Sequence, residues 1–238
     1  MRISVARTLA MVVPSKSAAF YNKKLRATSS AFDPACRDCP RLAAHLDRIK
    51  REHPDYHARP VAPFGPANAD LLVVGLAPGL HGANRTGRPF TGDHAGILLY
   101  RTLHRYGFAS HEGSSDPGDG LALIGCRVTN AVKCLPPQNE PRPDEMRRCN
   151  HYLAEEIAAA RPRAILALGA IAHRAVLMAL GLAPGAWRFA HHAVYELPSV
   201  RLFDSYHCSR YNTQTKRLTA AMFEAVVRDI ATFLRGAR

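Results

Sequence analysis

A chain of 238 residues with 32 Lys and Arg against 19 Asp and Glu carries a formal charge of +13, and 47% of its residues are apolar against 21% charged. That mix excludes wholesale disorder and suffices for one sizeable core, while no stretch approaches the about 20 uninterrupted apolar residues of a membrane helix. What is left is a soluble basic protein whose first partner to consider is a polyanion, nucleic acid ahead of an anionic membrane.

Residues 1–32 hold six of the net positive charges and no acid. This basic N-terminal extension stands apart from a domain over 33–238. A DNA-touching arm, an upstream start and an organelle address are all compatible with it, but it lacks the compact apolar core of a secretory signal. A cytoplasmic, nucleoid-associated protein is expected. Next, 41–52 reads as a short helix and 53–69 as a Pro-rich connection. Apolar runs at 71–75 (LLVVG), 121–128 (LALIGCRV) and 164–169 (AILALG) read as buried strands, with a fourth at 200–204 (VRLFD). Helical patterns separate them at 94–106, 143–160 and 170–180. A terminal helix is predicted over 215–235, with Leu218, Met222, Val226, Ile230 and Phe233 at i+3/i+4 spacing.

This alternation predicts a single α/β domain with a central, mostly parallel four-stranded sheet flanked by helices on both faces. In such folds the working residues sit just past the carboxyl ends of the strands. Those loops are 76–93, 129–134 and 205–213, and they are also the three chemically unusual segments of the chain.

Of six cysteines, Cys126 lies in an apolar strand pattern and reads as a small core residue. A disulfide framework is not expected in a chain able to build its own core. Cys36 and Cys39 form a C-x2-C pair in a polar, Pro-flanked turn, while Cys134 and Cys149 follow a strand and open a helix. Four thiolates suit tetrahedral zinc or a 4Fe–4S cluster. One tight pair with two dispersed cysteines leans toward the cluster, with unrelated thiols the plain alternative.

The first loop, GLAPGLHGANRTGRPFTGD (75–93), has glycines for close backbone approach to a ligand but no G-K-[ST], so it is not a Walker phosphate loop. The second is TNAVKC (129–134) and the third SYHCSRYNTQTKRLT (205–219). Together with the paired cysteines, these blocks resemble the iron–sulfur uracil-DNA glycosylases, in the family 5 (type B) branch, over residues 33–235. The resemblance implies a repair enzyme that flips uracil out of DNA into a pocket and hydrolyses its N-glycosidic bond. Hypoxanthine, another deaminated base, is a further expected substrate, and a monomer is expected. It implies a structural 4Fe–4S cluster on Cys36, Cys39, Cys134 and Cys149. It also implies His207 as donor to the base carbonyl, Phe90 as the stacking wall and Asn130 as the holder of the water. Ala77, Gly79 and Asn84 are expected to line the base pocket. Asp93 is expected to support catalysis or to cap the helix beginning near His94. Arg85, Arg88, Ser209, Arg210 and Asn212 are expected on phosphates, with Arg210 at or beside the wedge that fills the emptied stack.

Related families carry a carboxylate in the first loop; here the residue is Leu76, so an amide must orient the water and leaving-group stabilisation must supply most of the rate. Two departures from the family pattern stand out. Cys208 replaces a proline, which is expected to loosen the loop of His207, and Lys216 replaces a glycine, adding a candidate phosphate contact. The competing readings are a non-catalytic iron–sulfur DNA-binding module and an α/β nucleotide enzyme; the latter lacks a convincing lysine after its glycine-rich loop.

Overall fold

The structure, a computed structural model, describes residues 32–236, so all but the last residue of the basic extension lies outside it. Five strands, β1 (Leu71–Gly75), β2 (Cys126–Asn130), β3 (Ala164–Leu168), β4 (Val194–Glu196) and β5 (Arg201–Ser205), form one sheet in the order β2-β1-β3-β5-β4. All neighbours are parallel except β4, which runs antiparallel along the outer side of β5. The four expected strands therefore become five. The extra one is three residues long (VYE), too short and too polar to stand out as an apolar run.

The helices are α1 (Pro40–Glu52), α2 (Ala83–Thr86), α3 (His94–Arg105), α4 (Pro143–Ala160), α5 (Ala170–Ala179), α6 (Arg210–Gln214) and α7 (Ala220–Gly236). Successive strand residues point to opposite faces. Accordingly Leu71 and Val73 join Leu99, Leu103, Phe223, Val226 and Ile230 under α3 and α7. Leu72 and Val74 join Leu153, Ile157, Val176 and Leu177 under α4 and α5. Both faces are covered, which is why the β1 and β3 runs are apolar at every position. Each fully buried Leu or Val contributes roughly 1.5–3 kcal/mol. A third cluster packs Leu42, Leu46 and Ile49 of α1 against Val132, Leu135, Cys134, Cys149 and Tyr152. The bidentate ion pair of Arg41 with Glu145, at 2.8 and 2.7 Å, fastens α1 to the first turn of α4.

Two boundaries differ from the sequence expectation. Gly125 has φ +59, which breaks the 121–128 run; Leu121 and Leu123 enter the core from a loop, and β2 proper begins at Cys126. Lys216 has φ +58 and the Thr219 hydroxyl accepts the Met222 amide, so the last helix begins at Ala220 rather than at 215. The residues before it form α6, capped by Ser209. Among the described residues no helix is long and apolar enough to cross a membrane.

Candidate active site

β1 ends at Gly75, which pairs with Asn130, the last residue of β2. A Cβ on Gly75 would lie 2.5 Å from Phe90 Cζ and 2.5 Å from Asn130 Oδ1. Only glycine lets the chain pass between those two side chains. Phe90 itself is buried at φ +54. A left-handed backbone at a bulky residue costs of order 1–3 kcal/mol and persists only where its surroundings impose it. Its ring stands 5.8 Å from that of His207, centroid to centroid, inclined by 31°. The loops after β1 and β5 and the last residue of β2 thus deliver Phe90, His207 and Asn130 to one place.

At this place Asn130 Oδ1 is buried without a hydrogen-bond partner among the described residues, and in the loop after β1 so are both the oxygen and the nitrogen of the Asn84 amide. Asn84 sits in α2, fixed by its main chain alone, its amide N–H on the Gly79 carbonyl at 3.0 Å and its carbonyl accepting from Ala58 at 3.0 Å. Each orphaned group costs about 1–3 kcal/mol. An arrangement that carries three suits a polar ligand.

His207 lies just past β5. It is half-buried, and burial pushes the imidazole down to about 4, leaving it neutral at physiological pH. The Asn212 side chain donates to the His207 carbonyl at 2.9 Å, and His94 bonds the Thr213 hydroxyl at 2.9 Å, tying α6 to the start of α3. Cys208, in place of the family's proline, is fully buried in the core beneath α3 and α7. The loosening expected from the lost proline is countered by that burial and by the Asn212 brace.

Asp93 caps α3, its Oδ1 accepting the Gly96 amide at 2.9 Å. Its other oxygen faces the glycines of the first loop, 2.4 Å from where a Cβ on Gly82 would be and 3.8 Å from one on Gly79. Burial raises its pKa. Ala77 instead packs with Leu80 against the α1 cluster.

Cys36, Cys39, Cys134 and Cys149 line one cavity together with Leu42 and Tyr152. Burial pushes Cys39 up to about 11, with the neighbouring Cys149 adding to it. Cys134 and Cys149 are raised as well, burial again leading. The Lys133 amide N–H points at Cys149 Sγ from 3.4 Å. Buried thiols gathered in this way become thiolates only against a cationic centre. Among the described residues no three His, Cys, Asp or Glu side chains converge on a single-ion site.

The sequence profile of the uracil DNA glycosylase superfamily matches residues 62–231, a span that takes in Phe90, Asn130, Cys134, Cys149 and His207. The chain belongs to the uracil DNA glycosylase superfamily. It is 48% identical over 203 residues to the type-5 uracil-DNA glycosylase of Thermus thermophilus, covering 82% of this chain and 92% of that one. To the type-5 enzyme of Pyrobaculum aerophilum it is 42% identical over 200 residues, covering 82% and 88%. The type-4 enzyme of the same organism matches at 35% over 127 residues, only 53% of this chain. Membership of the type-5 branch follows from the longer and closer matches.

One phosphate contact expected for this superfamily member must be withdrawn. Arg88 is only 6% exposed. Its guanidinium donates to Thr91 Oγ1, Ser114 Oγ, the Asp116 and Pro117 carbonyls and Asp119 Oδ2, at 2.6 to 3.3 Å. A buried cation whose three nitrogens all donate inward has little to offer a phosphate. Of the others, Ser209 and Asn212 serve first within their own loop, as helix cap and brace. Arg85 is half-buried with its Nε on the His81 carbonyl, and Arg210 and Lys216 are exposed. Tyr100, Ser114 and Asp119 escaped the sequence reading; the only hint was the Asx-turn composition of SSDPGDG.

Proposed function

We propose that this protein removes uracil from DNA by hydrolysing the N-glycosidic bond. The supporting observation is the meeting of Phe90, Asn130 and His207, with the Asn130 amide oxygen buried and without an internal partner. A flipped base, costing roughly a few kcal/mol to unstack, stacks on the Phe90 ring. The Asn84 amide offers one donor and one acceptor, complementary to the adjacent carbonyl and N–H of a uracil edge. The neutral His207 ring donates its N–H to the base carbonyl and stabilises the negative charge that develops as the bond breaks. Asn130 Oδ1 accepts a hydrogen bond from the attacking water and orients it without acting as a base; the proton that the water sheds on adding to the sugar balances the released uracil anion. With leucine at position 76 and Asp93 spent on the helix cap, the sugar cation forms before the water adds. Such a pocket depends on leaving-group ability and extends to hypoxanthine.

The four cysteines are read as ligands of a 4Fe–4S cluster. A single zinc needs every sulfur about 2.3 Å from one point, whereas a cube of iron and sulfide accepts thiolates that stand further apart. When bound, the cluster supplies a covalent cross-link between the 32–39 segment, the loop after β2 and α4.

Alkaline cleavage of oligonucleotides bearing uracil or hypoxanthine tests the reading. Strand scission after incubation with the protein supports it, and intact uracil DNA overturns it. Gly75→Ala is expected to lower the single-turnover rate by about a hundredfold or more, because the new methyl displaces both Phe90 and Asn130. The checking measurement compares that rate with the thermal midpoint, which should move far less. Arg85→Ala and Arg210→Ala are expected to weaken binding to uracil-containing and undamaged duplexes alike. Each should reduce the slope of log Kd against log salt by about 0.9.

A further inference from the structure

Phe90 is held from both sides by groups outside the pocket. On one side the Tyr100 hydroxyl donates to the Pro89 carbonyl at 2.6 Å. On the other, Thr91 Oγ1 meets Ser114 Oγ at 2.6 Å, and the Gly92 amide donates to the Ser114 carbonyl at 2.9 Å. Arg88, next in the chain to Pro89, reinforces this second side, donating to Thr91 at 2.8 Å, to Ser114 at 2.9 Å and to Asp119 at 2.6 Å. Asp119 organises the whole loop: its carboxylate also accepts the amides of Ser115, Asp116 and Leu121. The Arg88 guanidinium lies 4.9 Å over the Phe64 ring, closing the far side. The pair is nearly buried, with side chains 7% and 14% exposed.

These contacts bear on the two residues flanking Phe90, the one residue of the site with a left-handed backbone and no glycine freedom. Freed from them, the Phe90 backbone would swing to negative φ and carry the ring away from His207. We propose that Asp119, acting through Arg88 and Ser114, is a positioning residue that sets the Phe90 ring at the base-stacking angle. The loop 110–121 is then a working part of the site through these contacts to the residues flanking Phe90. This rests on Phe90 being the stacking wall, and the experiment separates the two statements.

Single-turnover uracil excision is measured for the full chain and for Asp119→Asn, Ser114→Ala, Phe90→Ala and the double variant Asp119→Asn/Phe90→Ala. Binding of each protein to a duplex with a stable abasic-site analogue, which has no base to stack, is measured alongside. Asp119→Asn and Ser114→Ala are expected to slow excision by about ten- to a hundredfold and to leave abasic-duplex affinity within about twofold. In the Phe90→Ala background, Asp119→Asn should add almost nothing, since the ring it positions is gone. Ser114→Ala, which removes one hydroxyl and leaves the ion pair, covers the case in which Asp119→Asn fails to fold. A loss that persists undiminished without Phe90, or that falls equally on abasic-duplex binding, overturns the proposal. So does unchanged excision by Asp119→Asn and Ser114→Ala when Phe90→Ala is impaired. An unimpaired Phe90→Ala instead removes the stacking role itself.

Discussion

Replacing His207 by alanine is expected to slow uracil excision by roughly a hundred- to a thousandfold, the range seen when one preorganised donor to a developing anion is lost. The loss should fall on the single-turnover rate and spare duplex binding, because the donor matters most once charge has moved onto the base. The pH profile gives a sharper check. Burial holds the imidazole down at about 4, so the ring takes up a proton only as pH falls through that value. Between about pH 5 and 8 the His207 contribution should therefore be flat, with no inflection near the usual histidine pKa of about 6.5. An inflection there that vanishes in His207→Ala would falsify the role of neutral donor.

Cys134→Ser should have the largest effect on stability. Cys134 belongs to the third apolar cluster and lines the cavity of the other three thiols, so on the proposed reading it serves both packing and ligation. Losing a metal centre belongs to the small class of changes costing more than about 4 kcal/mol, equivalent to about 8–16 °C in Tm for a domain of this size. The checks are broad absorbance near 400 nm, of the kind thiolate-ligated iron gives, and calorimetry. Both should change together in Cys134→Ser, and in Cys36→Ser the absorbance should fall likewise. Retained absorbance in either variant would contradict the ligand assignment. Cys126→Ser, buried within β2 away from the thiol cavity, should keep the absorbance.

Much of this molecule can be read from its residues because β1 and β3 are buried on both faces and so appear as unbroken apolar runs. β2 was displaced because Leu121 and Leu123 are core residues supplied by a loop, and burial alone does not distinguish loop from strand. β4 was invisible because an exposed three-residue edge strand has no hydrophobic pattern. At the site, Phe90, Asn130 and His207 are legible only through the resemblance of their segments to family motifs; by composition alone each reads as an ordinary residue. Arg88 was misread for a physical reason: a guanidinium looks solvent-bound unless its partner is known, and Asp119 lies 31 residues further along the chain. The Phe90 backbone was equally hidden, since its left-handed conformation is imposed by Tyr100, Thr91 and Ser114 rather than by its own preference.

Asn130 and Cys134 are the two ends of one five-residue stretch whose interior is fixed at every step. Ala131 and Val132 donate to the Gly75 and Leu76 carbonyls, and the Lys133 carbonyl accepts the Val61 amide. The Lys133 ammonium is buried between Thr129 and Glu156, at 2.6 Å from each. Surface loops absorb insertions by bulging into solvent, but this stretch has no solvent to bulge into. Among natural or engineered variants, the distance between these two residues should be counted rather than aligned. Side chains between them can change, but adding or removing a single residue would drag the Asn130 amide or the Cys134 thiol out of place. The pocket and the thiol centre can be redesigned only as one piece.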